Sequence, residues 1–91
     1  MKLYFSEDGW GDYQHWVRNE PTVLNKVNAL IEDARRNLFR GLGKPEPLKG
    51  DLTGWWSRRI TGGHRLVYRI TGTAGVDQRI EIASCRDHYD G

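Results

Sequence analysis

The spacing of the apolar residues changes from helical to alternating near the middle of the chain, and this change restricts the possible folds most. In residues 20–36 the apolar side chains recur every three or four positions, as in an amphipathic helix. These side chains are Val23, Val27, Leu30, Ile31 and Ala34. An earlier segment begins at Ser6, an N-cap type of residue, and has Trp10, Tyr13 and Val17 on one helical face. The first half of the chain therefore predicts an amphipathic helical hairpin.

Runs of aromatic and β-branched residues predict strands on either side of this hairpin. A short strand is predicted over residues 2–5, and two longer strands over residues 56–60 and 65–70 are joined by a glycine-rich turn. A further turn leads into a last strand over residues 78–86. We expect one α+β domain spanning residues 1–91, in which the N-terminal strand and the helical hairpin pack on an antiparallel β-sheet meander.

Positive charge is concentrated in the middle of the chain. Residues 35–69 contain nine lysines and arginines and carry a net charge of +7, whereas residues 1–34 sum to −3 and residues 70–91 to −2. A basic region between acidic flanks is typical of a surface that binds the phosphates of RNA or DNA. A solvated surface face or a site for an acidic protein has the same composition, so charge alone leaves these alternatives open.

Cysteine content and hydropathy indicate the compartment. The chain has one cysteine, Cys85, and no apolar run long enough to span a membrane. Its N-terminus lacks the pattern of a signal peptide. Neither His15 nor His64 lies at metal-ligand spacing from other ligands. We therefore expect a reduced, cytoplasmic protein that binds neither a metal nor a membrane.

Glu46 lies between two prolines inside the basic region. Pro45 and Pro47 fix their own φ angles and push the preceding residues toward an extended conformation, so residues 44–47 are predicted to be stiff and extended. A lone carboxylate held in this way among cations suits a group that must meet a substrate atom. A surface turn with an incidental ion pair is the alternative, and composition alone favours it. The surrounding residues 37–53 show no regular period, and we expect them to form a long ordered loop.

An imidazole and a phenol, those of His88 and Tyr89, follow the last predicted strand. Internal cleavage of an RNA phosphodiester requires a base, an acid and a cation that stabilises charge on the phosphoryl oxygens. Glu46, His88 and Arg65 are side chains of these three kinds. A frayed C-terminal tail would carry the same His-Tyr pair without any function, and the residues alone favour that reading.

Motifs along the whole chain resemble those of the YoeB toxins, a family of the RelE/ParE superfamily. In the second half the matching motifs are Gly41, Gly43-Lys44-Pro45-Glu46-Pro47-Leu48-Lys49, Gly54-Trp55-Trp56-Ser57-Arg58-Arg59-Ile60-Thr61, His64-Arg65-Leu66-Val67-Tyr68, Cys85-Arg86 and His88-Tyr89. Met1-Lys2-Leu3, Ser6-Glu7, Trp10 and Trp16 also match, so the resemblance covers essentially the full length.

This resemblance implies a RelE-like fold and a ribosome-dependent mRNA endoribonuclease that uses no cofactor. It would cut mRNA in the ribosomal A site by acid–base catalysis and leave 2′,3′-cyclic phosphate and 5′-hydroxyl ends. By the same resemblance Glu46 is the general base, His88 the general acid and Arg65 the clamp on the transition state. Tyr89 would stack on a base or position the substrate. The phosphate-binding residues would be Lys44, Lys49, Arg58, Arg59 and Arg86.

The resemblance also implies three partners: a YefM-like antitoxin, a bacterial ribosome with mRNA in its A site, and a second copy of the chain. Two alternatives share the fold. A ParE-like toxin would poison DNA gyrase without cutting RNA, and it would not need the set of Glu46, Arg65 and His88. A purely RNA-binding module would keep its affinity for RNA after Glu46 or His88 is replaced. Cleavage of mRNA on ribosomes separates all three.

Overall fold

The computed structural model describes residues 1–87, which form two α-helices packed on a five-stranded mixed sheet. The elements are β1 (Lys2–Phe5), α1 (Glu7–Asn19), α2 (Pro21–Arg36), β2 (Glu46–Pro47), a 3-10 turn (Gly50–Leu52), β3 (Trp56–Thr61), β4 (His64–Thr71) and β5 (Arg79–Ser84). The strands lie in the order β1-β5-β4-β3-β2, with β1 parallel to β5 and the other pairs antiparallel. The predicted α+β class and the meander of β3, β4 and β5 are confirmed.

Local signals in the sequence determine where both helices begin. The Ser6 hydroxyl accepts a hydrogen bond from the Gly9 N–H at 3.0 Å and donates one to the Ala83 carbonyl at 2.8 Å, so it caps α1 and ties it to β5. Gly9 is required at this contact because a Cβ there would lie 2.6 Å from the Ile82 carbonyl oxygen. In α2, Pro21 occupies the start of the helix, where its missing N–H has no intrahelical partner to lose.

The core lies between the two helices and one face of the sheet. Val27 and Leu30 of α2 are fully buried against alternate residues of the strands, among them Leu66 and Tyr68 of β4 and Ile82 of β5. This alternation follows from the period of two in a strand. Truncating such a side chain to alanine costs about 2–5 kcal/mol, because a cavity remains in addition to the lost burial.

The buried face of α1 differs from the predicted apolar face. Trp10 and Val17 are 51% and 44% exposed, and α1 contributes Gly9 and Trp16 to the buried contacts instead. Trp16 is 4% exposed, and its indole N–H donates to the Cys85 carbonyl at 2.8 Å. The close approach at Gly9 rotates this face of the helix toward β5, so Trp10 stays at the margin of the core.

The predicted loop over residues 37–53 contains regular structure. Glu46 and Pro47 pair with Ser57 and Trp56 of β3 as a short edge strand, and residues 50–52 form the 3-10 turn. The Leu48 N–H extends the pairing by donating to the Trp55 carbonyl at 2.9 Å. The expectation of an extended conformation is therefore confirmed at Glu46 and Pro47, which are part of the sheet. It is wrong at Lys44, whose φ of 52° lies in the left-handed region although a proline follows it.

Candidate active site

The candidate site lies on the sheet face that points away from the helices. One row of residues in register runs across four strands from Glu46 on β2 through Ser57 on β3 and Val67 on β4 to Ser84 on β5. We call this face the open face; in the region of the site it consists of Glu46, Ser57, Arg59, Arg65 and Val67. The adjacent side chains of β3, such as Trp56 and Arg58, point toward the helices.

Two arginines face each other in the next row of the open face. Arg59 on β3 is directly opposite Arg65 on β4. Like charges that are directly opposite on neighbouring strands destabilise a sheet. A phosphate between two guanidinium groups removes this repulsion and can accept paired hydrogen bonds from each. Glu46 is one strand and one row away from Arg59. The register therefore brings together Glu46, Arg59 and Arg65, three of the residues predicted for catalysis or phosphate binding.

The two predicted phosphate-binding lysines flank β2. Lys44 and Lys49 are both exposed. Lys44 has a φ of 52°, in the left-handed region that few non-glycine residues adopt. Lys49 immediately precedes the 3-10 turn. Both ammonium groups are thus available at the edge of the sheet that carries Glu46.

The end of the described chain is fixed beside Arg65. The Arg65 N–H donates to the Asp87 carbonyl at 3.2 Å, and the Asp87 N–H donates to Nδ1 of His64 at 2.7 Å. Because Nδ1 accepts a hydrogen bond, the His64 proton is assigned to Nε2. The His64 ring packs edge-on against Trp16, with centroids 4.8 Å apart. The position of His64 beside a turn indicates a structural residue, but the sequence does not specify these contacts.

Three residues predicted for the site belong to the C-terminal segment. Arg86 is exposed and directly precedes Asp87. His88 and Tyr89, predicted as the acid and as a stacking or positioning residue, lie outside the described residues.

Arg58 is not available to bind phosphate, and this corrects the prediction from the sequence. Its side chain is fully buried, and its guanidinium donates five hydrogen bonds within the protein. The acceptors are the Tyr68 hydroxyl at 3.1 Å, Oδ2 of Asp33 at 2.6 Å, and the carbonyls of Leu42 at 3.1 Å, Asn37 at 2.5 Å and Arg40 at 2.9 Å. A buried cation is tolerated only with such complete pairing, which leaves no donor for a ligand.

Arg58 and its partner Asp33 hold the segment that leads to Glu46. The Asp33 carboxylate also accepts from the Leu42 N–H at 2.9 Å. This backbone hydrogen bond, followed by the one from Arg58, lowers the pKa of Asp33 below its ordinary value. The Tyr68 hydroxyl donates to the Leu38 carbonyl at 2.9 Å and completes the contacts to residues 37–42. The only sign of this role in the sequence is an acidic residue between two predicted core positions, Ile31 and Ala34.

Gly43 connects this buried cluster to the site. Its φ is 81°, and a Cβ at this position would lie 2.8 Å from Cδ2 of Leu30 and 3.0 Å from Cβ of Arg58. The Arg59 N–H donates to the Gly43 carbonyl at 2.7 Å. Glycine is needed here for both its conformation and its size. The chain therefore passes close to β3 just before Glu46.

Two further findings concern groups with other possible chemistry. Cys85 is fully buried, and burial raises the pKa of its thiol to about 12, so it is a packing residue and not a nucleophile. Among residues 1–87, no three His, Cys, Asp or Glu side chains are grouped so that they could hold a metal ion. No helix within the same residues is long and apolar enough to cross a membrane.

Comparison with known proteins gives consistent matches over nearly the full length. Residues 5–89 match the family described as the YoeB-like toxin of bacterial type II toxin-antitoxin systems. Toxin YoeB of Escherichia coli strain K12 is 52% identical over 89 residues, which are 98% of this chain and 100% of the relative. Toxin YoeB of Streptomyces coelicolor is 48% identical over the same shares of both chains.

Solved structures agree with these sequence matches. A YoeB/ParE toxin from Agrobacterium tumefaciens is 53% identical and superposes with a TM-score of 0.94, covering 98% of this chain and 100% of the other. The YoeB dimer from Staphylococcus aureus is 41% identical with a TM-score of 0.86, at 98% of both chains. A heterotetrameric YoeB-YefM complex from the same organism is 40% identical with a TM-score of 0.85, also at 98% of both chains.

Proposed function

Because the chain belongs to the YoeB-like toxin family of bacterial type II toxin-antitoxin systems, we propose that it is a ribosome-dependent endoribonuclease that cuts mRNA in the ribosomal A site. The supporting observation is the arrangement of the open face, where the Glu46 row lies next to the opposed pair Arg59 and Arg65. One carboxylate and two guanidinium groups lie within reach of a single phosphodiester. Because the substrate is mRNA on the ribosome, the reaction takes place in the bacterial cytoplasm.

In the proposed reaction Glu46 acts as the general base. It takes the proton from the 2′-hydroxyl, whose oxygen attacks the adjacent phosphorus and forms a cyclic phosphate. The pairing of β2 with β3 restrains the backbone of Glu46, so little entropy is lost when the carboxylate meets the hydroxyl. General-base catalysis of this kind contributes about 10²–10⁴-fold to the rate.

Arg65 and Arg59 stabilise the charge that develops on the phosphoryl oxygens. Arg65 is half-buried and its backbone is paired on both sides, so the backbone that carries its guanidinium is held in place before RNA binds. Loss of one preorganised donor to such an oxyanion typically lowers the rate about 10²–10³-fold. Lys44, Lys49 and Arg86 are exposed, and we assign them to the neighbouring phosphates of the RNA.

We assign His88 as the general acid that protonates the departing 5′-oxygen. It directly follows Asp87, and the Asp87 backbone is hydrogen-bonded to Arg65 and His64. In-line displacement requires that this acid lie on the opposite side of the phosphate from Glu46. Tyr89 would stack on a base or position the substrate. The products would be a 2′,3′-cyclic phosphate and a free 5′-hydroxyl.

The proposal includes three partners. The Staphylococcus aureus homologues that were solved as a YoeB dimer and as a YoeB-YefM heterotetramer support a homodimer and a YefM-like antitoxin for this chain. The net charge of +7 over residues 35–69 suits an acidic antitoxin as well as the RNA of a bacterial ribosome. An antitoxin that covers this region would block access of mRNA to Glu46.

Mapping of mRNA 5′ ends after brief expression of the chain in a bacterium tests the proposal. New ends in phase with the reading frame, absent with Glu46→Gln, are the expected result. Uniform cuts without relation to the frame would refute ribosome dependence. If no cuts appear although translation or replication stops, the chain acts by binding RNA or gyrase and the endonuclease proposal fails.

A further inference from the structure

Ser57 carries a buried hydroxyl that the contacts among residues 1–87 do not explain. It lies in the middle of β3 and is 1% exposed. Its Oγ forms no hydrogen bond with any described residue. A buried hydroxyl without a partner costs about 1–3 kcal/mol, and alanine at the same place would avoid this cost. The presence of serine therefore calls for a reason outside the stability of the chain.

The position of Ser57 indicates which group its hydroxyl serves. Ser57 is directly opposite Glu46 on one side and Val67 on the other. Directly opposite residues on antiparallel strands have Cβ atoms about 4.5–5.5 Å apart, a distance that a serine hydroxyl and a glutamate carboxylate can bridge. Val67 offers no polar group. The only other buried unpaired side-chain N or O atom among the described residues is Nε of Arg65, which lies one row away on the same face.

We propose that Ser57 is a positioning residue for Glu46, an inference that rests on the proposed function. Its hydroxyl donates a hydrogen bond to the Glu46 carboxylate when RNA covers the open face. Bound RNA removes water from the carboxylate, and a hydrogen bond to a charged group is stronger where water is excluded. Ser57 is the adjacent donor whose hydrogen bond is not already used. The bond holds one carboxylate oxygen, and the other oxygen is directed at the 2′-hydroxyl. No atom of Ser57 touches the substrate in this arrangement.

The test is Ser57→Ala, measured as single-turnover cleavage of mRNA on programmed ribosomes with the toxin in excess. The expected rate is about 10- to 100-fold lower than wild type, because a hydrogen bond to a charged group is lost. Thermal stability should be unchanged or higher, since the substitution removes an unsatisfied buried hydroxyl. The acidic limb of the pH–rate profile should move to higher pH, because the donor favours the charged form of the base. A purely structural role for Ser57 would not move this limb.

Ser84→Ala is the matched control, since Ser84 lies in the same row on the far side of Val67. It should cleave at the wild-type rate. In the Glu46→Gln background, Ser57→Ala should cause little further loss, because both changes act on the same step. A wild-type rate for Ser57→Ala, an equal loss in the Glu46→Gln background, or a lower melting temperature would each overturn the inference. If the wild-type chain itself fails to cleave ribosome-bound mRNA, the proposed function is what fails.

Discussion

Replacing Asp33 by asparagine should destabilise the protein by about 3 kcal/mol. The substitution leaves the fully buried guanidinium of Arg58 without its counter-charge, and breaking a buried ion pair from one side costs about 3–5 kcal/mol. We take the lower end of this range for two reasons. The Asp33 side chain is 20% exposed, and asparagine keeps an oxygen that can accept from the Leu42 N–H. For a domain of this size the loss corresponds to a melting temperature about 12–24 °C lower.

Glu32→Gln is the matched control for this substitution. Glu32 precedes Asp33 on α2 and also pairs with an arginine, Arg35, at 3.0 Å. Both partners of that pair are substantially exposed, and surface pairs of this kind contribute under about 0.5 kcal/mol. Urea denaturation of both variants at neutral pH measures the difference. The reasoning is refuted if Asp33→Asn loses no more stability than Glu32→Gln.

The pH dependence of stability provides a second check on Asp33. The hydrogen bonds from Leu42 and Arg58 lower its pKa in the folded chain, so its contribution is complete above the unfolded value and is lost as the pH falls through the folded value. The gap in stability between wild type and Asp33→Asn should thus be largest at neutral pH and shrink as the pH falls below 3.8, the ordinary pKa of aspartate. A gap that stays constant over this range would show that the carboxylate charge is not the stabilising group.

Three further predictions concern the backbone, binding and chemistry of the site. Gly43→Ala should lower the free energy of unfolding, measured by urea denaturation, by about 1–3 kcal/mol, because the positive φ and close contacts of Gly43 exclude a Cβ. A Cβ at Gly63 meets open space, so Gly63→Ala should change the free energy of unfolding by under about 0.5 kcal/mol. Glu46→Gln should lower the rate of cleavage by about a hundredfold or more and leave the affinity for the ribosome nearly unchanged. Lys49→Ala should lower the affinity and leave the rate of cleavage nearly unchanged. Equal losses of affinity in both variants would favour an RNA-binding module. An mRNA with sulfur at the bridging 5′ position should restore most of the rate lost in His88→Ala, since a thiolate leaves without a proton. A defect that remains as large with sulfur would show that His88 positions the substrate and does not protonate it.

The periods of the apolar residues were sufficient to predict both helices, the three-stranded meander and the α+β class. These features depend on local spacing, because one face of each helix and strand must be buried whatever its partner is. The prolines around Glu46 likewise predict its extended backbone, because they restrict φ and ψ without tertiary contacts. The role of Glu46 as the base comes from the family resemblance, and it stays a proposal.

Other features depend on which elements meet. The pairing of β1 with β5 joins segments that are far apart in the sequence. No local signal specifies its register or the register of Glu46 with Ser57. Helix α1 turns Trp16 inward and leaves Trp10 half exposed because Gly9 permits close contact with β5. Packing between elements therefore decides which face of α1 is buried, and the spacing of its apolar residues does not.

Arg58 and Arg59 show the division between sequence and tertiary structure most directly. They are the same residue type at adjacent positions, and the alternation of a strand predicts only that they point to opposite faces. The helices cover the face that carries Arg58, where acceptors for its whole guanidinium come from Asp33, the Tyr68 hydroxyl and the carbonyls of residues 37–42. Arg59 stays exposed opposite Arg65. The sequence by itself determined that residues 56–60 would form a strand with two adjacent arginines, and only tertiary packing decided which arginine remains available to a phosphate, because a buried charge needs partners from distant segments.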